Sequence, residues 1–190
     1  KRKHRYLSHL LQQCKEDDRT YLEACGLGAQ GADANILWRT IKQGASIQDP
    51  MEWSEVFARI TWRLRPGEAI SELLRRARST TLPLEKRLFA IETLAFYEDP
   101  RALTALLKVA TIQGPVGGEA IRWLIHLGNT RWRKLQVFDS MKEKGIYDPA
   151  KVEITEAIVP APEGKSKLPS LDAILALKGD ATRGKAAALR

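Results

Sequence analysis

The chain has few of the residues that build reactive sites or staple small folds. Cysteine occurs twice, as Cys14 and Cys25, histidine three times and methionine twice in 190 residues. Two cysteines supply neither a disulfide framework nor a zinc cage. No apolar run reaches the ~20 residues of a membrane-spanning helix, because Arg, Glu or Lys interrupts each of them within about two turns. Sustained period-two alternation is missing apart from a weak stretch between Val152 and Val159, so there is little from which to build a sheet. The opening Lys1-Arg2-Lys3-His4-Arg5 carries no initiator methionine and no apolar signal-peptide centre, and it reads as an internal segment of a longer protein.

Catalytic signatures are equally scarce. No G-x-S-x-G elbow surrounds a Ser, no acidic pair stands apart for acid/base work, and His4, His9 and His126 are not at metal-ligand spacing. The expectation is a chain without catalytic, cofactor-binding or metal-binding residues of its own, that is, not an enzyme.

What is present is Leu, Ala and Ile distributed throughout, with 44% hydrophobic and 7% aromatic residues. That balance fits one folded domain with a tail. The net charge of +8 arises from 31 basic residues dispersed among 23 acidic ones. A basic excess attracts acidic partners at long range, but an interspersed mixture reads as a solvated surface more than a nucleic-acid face.

Helical periodicity runs through the sequence, punctuated at short intervals. Leu7, Leu10 and Leu11 form one stripe, and Tyr21, Leu22 and Cys25 another after Asp17-Asp18, closed by Gly26, Gly28 and Gly31. Asp33 to Gln43 follows and Gly44 ends it. Asp49-Pro50 opens a helix through Trp53, Phe57 and Leu64, and Pro66 opens the next, with Leu73 and Ala77 inside and Arg75, Arg76 and Arg78 on the wet face. Pro83 and Asp99-Pro100 begin two more. Gly114-Pro115 and Gly117-Gly118 break the chain, and a last hairpin carries Leu124 and Leu127, then Trp132 and Met141.

These helices repeat. An offset of 33 superposes Ala69, Ile70, Leu73, Leu74 and Ala77 on Ala102, Leu103, Leu106, Leu107 and Ala110, and Leu88, Ile91 and Leu94 on Ile121, Leu124 and Leu127. The period predicts an all-α fold of stacked helical hairpins, a HEAT/armadillo-like α-solenoid, since the tetratricopeptide and ankyrin signatures are not reproduced. Residues 1–148 form the repeat domain, 149–169 a linker rich in Pro, Gly and Lys, and 170–190 the start of a truncated module with short helices.

Three local features invite a functional reading. Gly26-Leu27-Gly28-Ala29-Gln30-Gly31 has the G-x-G-x-x-G spacing, but it follows a helix instead of a strand and so lacks the context of a dinucleotide site. Arg122, Arg131, Trp132, Arg133 and Lys134 form a basic-aromatic cluster that can hold phosphates and stack a base, or pack its Trp while the cations reach water. Cys14 and Cys25 fall on neighbouring helices of a hairpin, where a disulfide is a possibility that spacing alone does not decide.

Asp18-Arg19-Thr20-Tyr21-Leu22-Glu23-Ala24-Cys25-Gly26-Leu27-Gly28-Ala29, Arg131-Trp132 followed by Lys144-Gly145-Ile146-Tyr147-Asp148-Pro149, and Gly179-Asp180-Ala181-Thr182-Arg183-Gly184-Lys185-Ala186 together resemble one family. It is the large exported PVC-type haem-binding proteins, in which a β-propeller leads into HEAT-like repeats and a C-terminal cytochrome c domain. The resemblance covers nearly the whole chain. It implies a periplasmic or exported scaffold that positions a substrate-oxidising head relative to an electron-transfer domain, with the other domains of the same polypeptide or a protein as partners and haem c bound downstream. The chain contains no C-x-x-C-H, so no haem ligand is carried over to its residues. The alternatives are a nucleic-acid-binding HEAT-like module resembling the alkylpurine DNA glycosylases, with Arg75, Arg76, Arg122, Arg131, Arg133 and Lys134 on one concave face, and a general protein-docking adaptor.

Overall fold

Short polar residues ahead of apolar stripes set where the helices begin. Asp18 accepts the backbone N–H of Tyr21, Asp33 those of Asn35 and Ile36, Ser54 that of Phe57 and Asp99 that of Arg101, each satisfying a donor the first helical turn leaves unpaired. Pro100 and Pro115 occupy first-turn positions, where the missing N–H costs nothing. In the computed structural model, which describes residues 2–15, 18–30, 32–152, 170, 172, 173, 176, 179 and 180, the regular elements among those residues are helical throughout. They are α1 (Arg2–Gln12), α2 (Arg19–Gly28), α3 (Ala34–Gly44), α4 (Glu55–Leu64), α5 (Ile70–Arg78), α6 (Leu84–Ala95), α7 (Pro100–Ala110), α8 (Pro115–Asn129) and α9 (Val137–Glu143), with short 3-10 turns between some of them.

The first of two compact units is Lys1–Val152. Within it, α1 packs on α3, α3 on the 3-10 turn Gly67–Ala69 that leads into α5, α5 on α7 and α7 on α9; likewise α2 packs on α4, α4 on α6 and α6 on α8. Consecutive helices then join the two series, as α1 with α2, α3 with α4, α5 with α6 and α7 with α8. The apolar residues of both series meet in one core from Leu11 to Met141, including Leu73, Ile91, Leu94, Leu106, Leu124 and Leu127. A smaller cluster of Leu7, Ala29 and Leu37 closes the α1 end.

Polar side chains reach across the stack at nearly constant sequence separation. Tyr97 Oη donates to Pro66 O at 3.0 Å, 31 residues away, and Trp132 Nε1 donates to Tyr97 O at 2.9 Å, 35 residues away. Arg65 Nη1 donates to Phe96 O, Arg131 Nη2 to Ala95 O, and Glu68 N to Asn35 Oδ1 across 31, 36 and 33 residues. The segments that follow α4 and α6 are thus each tied to the segment that follows two helices later, and Glu68 is tied to Asn35 in the first turn of α3.

Several glycines and prolines act differently from their sequence reading. Gly28 ends α2, but Gly26 lies inside it; a Cβ on Gly26 would stand 2.2 Å from Arg63 Nε, so this glycine makes room for the guanidinium that pairs with Glu23 at 2.7 Å. Gly117 and Gly118 lie within α8 and do not break it. Asp49-Pro50 opens the 3-10 turn Pro50–Glu52, while Ser54 caps α4. The left-handed backbone falls in part on side-chain-bearing residues, Ser46, Arg65 and Gln136. Gln136, exposed at φ 51°, precedes α9. Gln136→Gly relieves that steric penalty while loosening the unfolded chain, and a net gain of about 0.5 kcal/mol in urea unfolding is expected.

In the second unit, Glu153–Arg190, Ala173 N donates to Ser170 Oγ and Ala176 N to Asp172 O, one turn of helix. The body of the expected linker 149–169, the weak period-two run beyond Val152 and most of the module expected over 170–190 lie outside the described residues; Pro149–Lys151 itself is a 3-10 turn of the first unit.

Candidate binding site

The basic-aromatic cluster at the α8–α9 junction divides between surface and interior. Of the two readings open for Trp132, stacking platform or packed ring, it takes the packed one: it is 1% exposed, within the main core, with its indole N–H on Tyr97 O. Trp132 therefore drops out of the candidate binding surface: a large ring between the last helices fills the core, and its only polar atom is already satisfied. The neighbouring cations are mostly engaged within the fold. Arg122 forks onto Glu119, holding that carboxyl below the usual range, and lies 5.1 Å over the Trp123 ring. Arg131, besides its bond to Ala95 O, lies 5.4 Å over Phe96, and Arg133 Nε donates to Asn129 O at 2.8 Å. Lys134 is exposed.

The six cations grouped above on one concave face are dispersed. Arg75 and Arg76 belong to α5, in the odd-numbered series, and Arg122 to α8, in the even-numbered one. Arg75 reaches Asp49 at 3.5 Å. A feature that sequence reasoning missed is the line of half-buried rings Trp62, Phe96 and Trp123, with centroids 5.7 Å and 6.0 Å apart in succession, ending on His126. Its signal was an aromatic residue recurring in or just after each of α4, α6 and α8.

Cys14 and Cys25 are both buried and present as free thiols. Burial pushes both thiols up from their ordinary value, Cys25 raises Cys14 further, and a hydrogen bond from Tyr21 partly offsets the rise at Cys25. Raised thiols are poor nucleophiles. They do not fit covalent haem attachment either, being eleven apart with no histidine after either one. His4 Nε2 accepts Asp33 N at 3.1 Å and His9 Nε2 meets Gln13 Nε2 at 3.0 Å. Among the described residues no group of three His, Cys, Asp or Glu side chains is placed to hold a metal.

The most site-like geometry lies between α4, α5 and α6. Arg76, expected on the wet face of α5, is 2% exposed: three residues after Leu73 and next to Ala77, it points along the buried stripe. Its Nη1 donates to Pro50 O and its guanidinium lies 4.9 Å over the Trp53 ring. Trp53 in turn belongs to a ring cluster with Trp38 and Phe57, where Trp38 Nε1 donates to Thr61 Oγ1 at 2.9 Å. Beside Arg76 and Trp53 is a cavity of about 320 Å³ that Arg59, Lys86 and Phe89 also line.

Comparison of the chain with protein-family models, with curated proteins and with solved structures returns no match.

Proposed function

We propose that this chain is a non-catalytic, HEAT-like helical-repeat scaffold, positioning other domains of a larger exported, haem-bearing oxidoreductase-like protein. The observation that carries the scaffold reading is the set of loop-to-loop hydrogen bonds at separations of 31 to 36 residues, close to the sequence offset of 33. With the two series of alternating helices, they support a solenoid in which each hairpin packs on its neighbours and holds a fixed spacing. The haem-bearing context rests on the three resembling segments alone. Neutralised or packed cations, as at Arg122, Arg131 and Arg76, favour this reading over the nucleic-acid one, because counterion release needs cations free to meet phosphates.

Two measurements test the reading. The 190-residue chain, expressed with cytochrome c maturation machinery, is expected to show no Soret band, and the gene product extended past Arg190 to show one; an extended product without haem overturns the haem-bearing context. Random duplex DNA is expected to bind weakly and to be released at physiological salt. Submicromolar binding at that salt, abolished by Arg131→Glu with Arg133→Glu, would replace the scaffold with the nucleic-acid module.

A further inference from the structure

Arg76 is a cation held inside the fold with fewer acceptors than it has donors. A guanidinium presents five N–H groups. One nitrogen bonds Pro50 O and the flat face rests on Trp53, yet among the described residues no carboxylate pairs with it. Burying a charge without a counter-charge is expensive, and the usual remedies are an ion pair or a bound ligand. Burial does push Arg76 down from the ordinary arginine value, but a guanidinium stays protonated at neutral pH. Holding the Pro50 carbonyl alone needs a single donor. The rest of this fork is left to meet water or a ligand, and beside it the buried Trp53 indole N–H has no acceptor among the described residues.

The adjoining cavity indicates what that is. Its volume of about 320 Å³ stands at the small end of sites that take small molecules. The walls are aromatic or apolar, from Trp53, Phe89 and Pro83. Arg59 and Lys86 add positive charge to its lining while Glu55 and Glu85 add negative charge. With Arg76 the lining carries three cations and two carboxylates, a net single positive charge that matches one negative charge better than a multiply charged phosphate; planar, bidentate pairing also suits a carboxylate.

We propose that the cavity between α4, α5 and α6 binds a monocarboxylate bearing an apolar, aromatic-sized group, its carboxylate on the Arg76 guanidinium and its apolar body between Trp53 and Phe89. Such a group is carried by a free organic acid or by the C-terminal residue of a peptide. The site is independent of the scaffold reading, since it requires no particular neighbouring domain.

The test is a titration of the ¹⁵N-labelled chain followed at the Trp53 indole and Arg76 Nε resonances. The probes are 3-phenylpropionate and its amide, and an acetylated tripeptide ending in phenylalanine with a free or an amidated terminus. Both resonances are expected to shift saturably with at least one carboxylate, with Kd below about 1 mM, and the matching amide to bind about tenfold more weakly. Tighter binding by the small acid assigns a free metabolite-like ligand, and tighter binding by the peptide assigns a chain terminus. Arg76→Gln should abolish the shifts. Arg59 is exposed, so Arg59→Glu keeps the fold and should weaken binding by a few-fold, which keeps the test decisive where Arg76→Gln does not fold. No saturable shift with either acid, equal binding of acid and amide, or unchanged binding in Arg59→Glu overturns the proposal.

Discussion

Trp132→Ala is expected to destabilise the chain by about 4 kcal/mol, the largest loss of any single side chain in the α8–α9 region. The ring is 1% exposed and packed in the main core, so truncation leaves a large void that the surrounding helices close only in part. It also removes the donor to Tyr97 O, a carbonyl on a residue that is itself buried. Trp132→Phe separates the two effects: most of the volume remains, the carbonyl is left unpaired, and a loss of about 1–2 kcal/mol is expected. Urea unfolding followed by circular dichroism gives both values. A loss below about 1 kcal/mol for Trp132→Ala would mean that the ring is not the packed junction described.

The second large effect is a contrast between adjacent glycines of α8. A Cβ on Gly117 would stand 1.7 Å from Ile112 O and 2.9 Å from Ile112 C, and backbone atoms cannot swing aside as a side chain does. Gly118 is exposed, with nothing within 4 Å of the same position. Gly117→Ala is therefore expected to cost about 3 kcal/mol by forcing the loop before α8 off the helix. Gly118→Ala should instead stabilise by up to about 1 kcal/mol, as alanine replaces glycine in a solvent-facing helical position. Thermal melts of the two variants should move in opposite directions, and matched shifts would refute the close approach.

The same glycine pair shows how far sequence reasoning reaches here. A Gly-Gly step reads as a break because propensity is local, and only the packed position of Ile112 reveals that one of the two is needed for contact. Helix starts were largely legible at Asp18, Asp33 and Asp99, since a cap acts within its own turn. Arg76 was misplaced for a complementary reason. A charged residue is assigned to water unless something inside stabilises it, and the Trp53 face and Pro50 carbonyl that do so come from a segment more than twenty residues earlier. The line of Trp62, Phe96 and Trp123 was hidden likewise, since only the packing of successive helices brings the rings side by side.

Four of the five bonds that tie the stack across 31 to 36 residues end on main-chain oxygens, those of Pro66, Ala95, Phe96 and Tyr97, and the fifth on Asn35 Oδ1. A main-chain acceptor is present whatever side chain the position carries. Spacing therefore matters more at these loops than residue identity: exchange of Ala95 or Phe96 leaves the oxygen in place, whereas gain or loss of one residue between two such loops moves it out of reach. Tolerance should accordingly be asymmetric along this spine, permissive to substitution on the accepting side and strict about length, with the donors Tyr97 and Trp132 fixed by both.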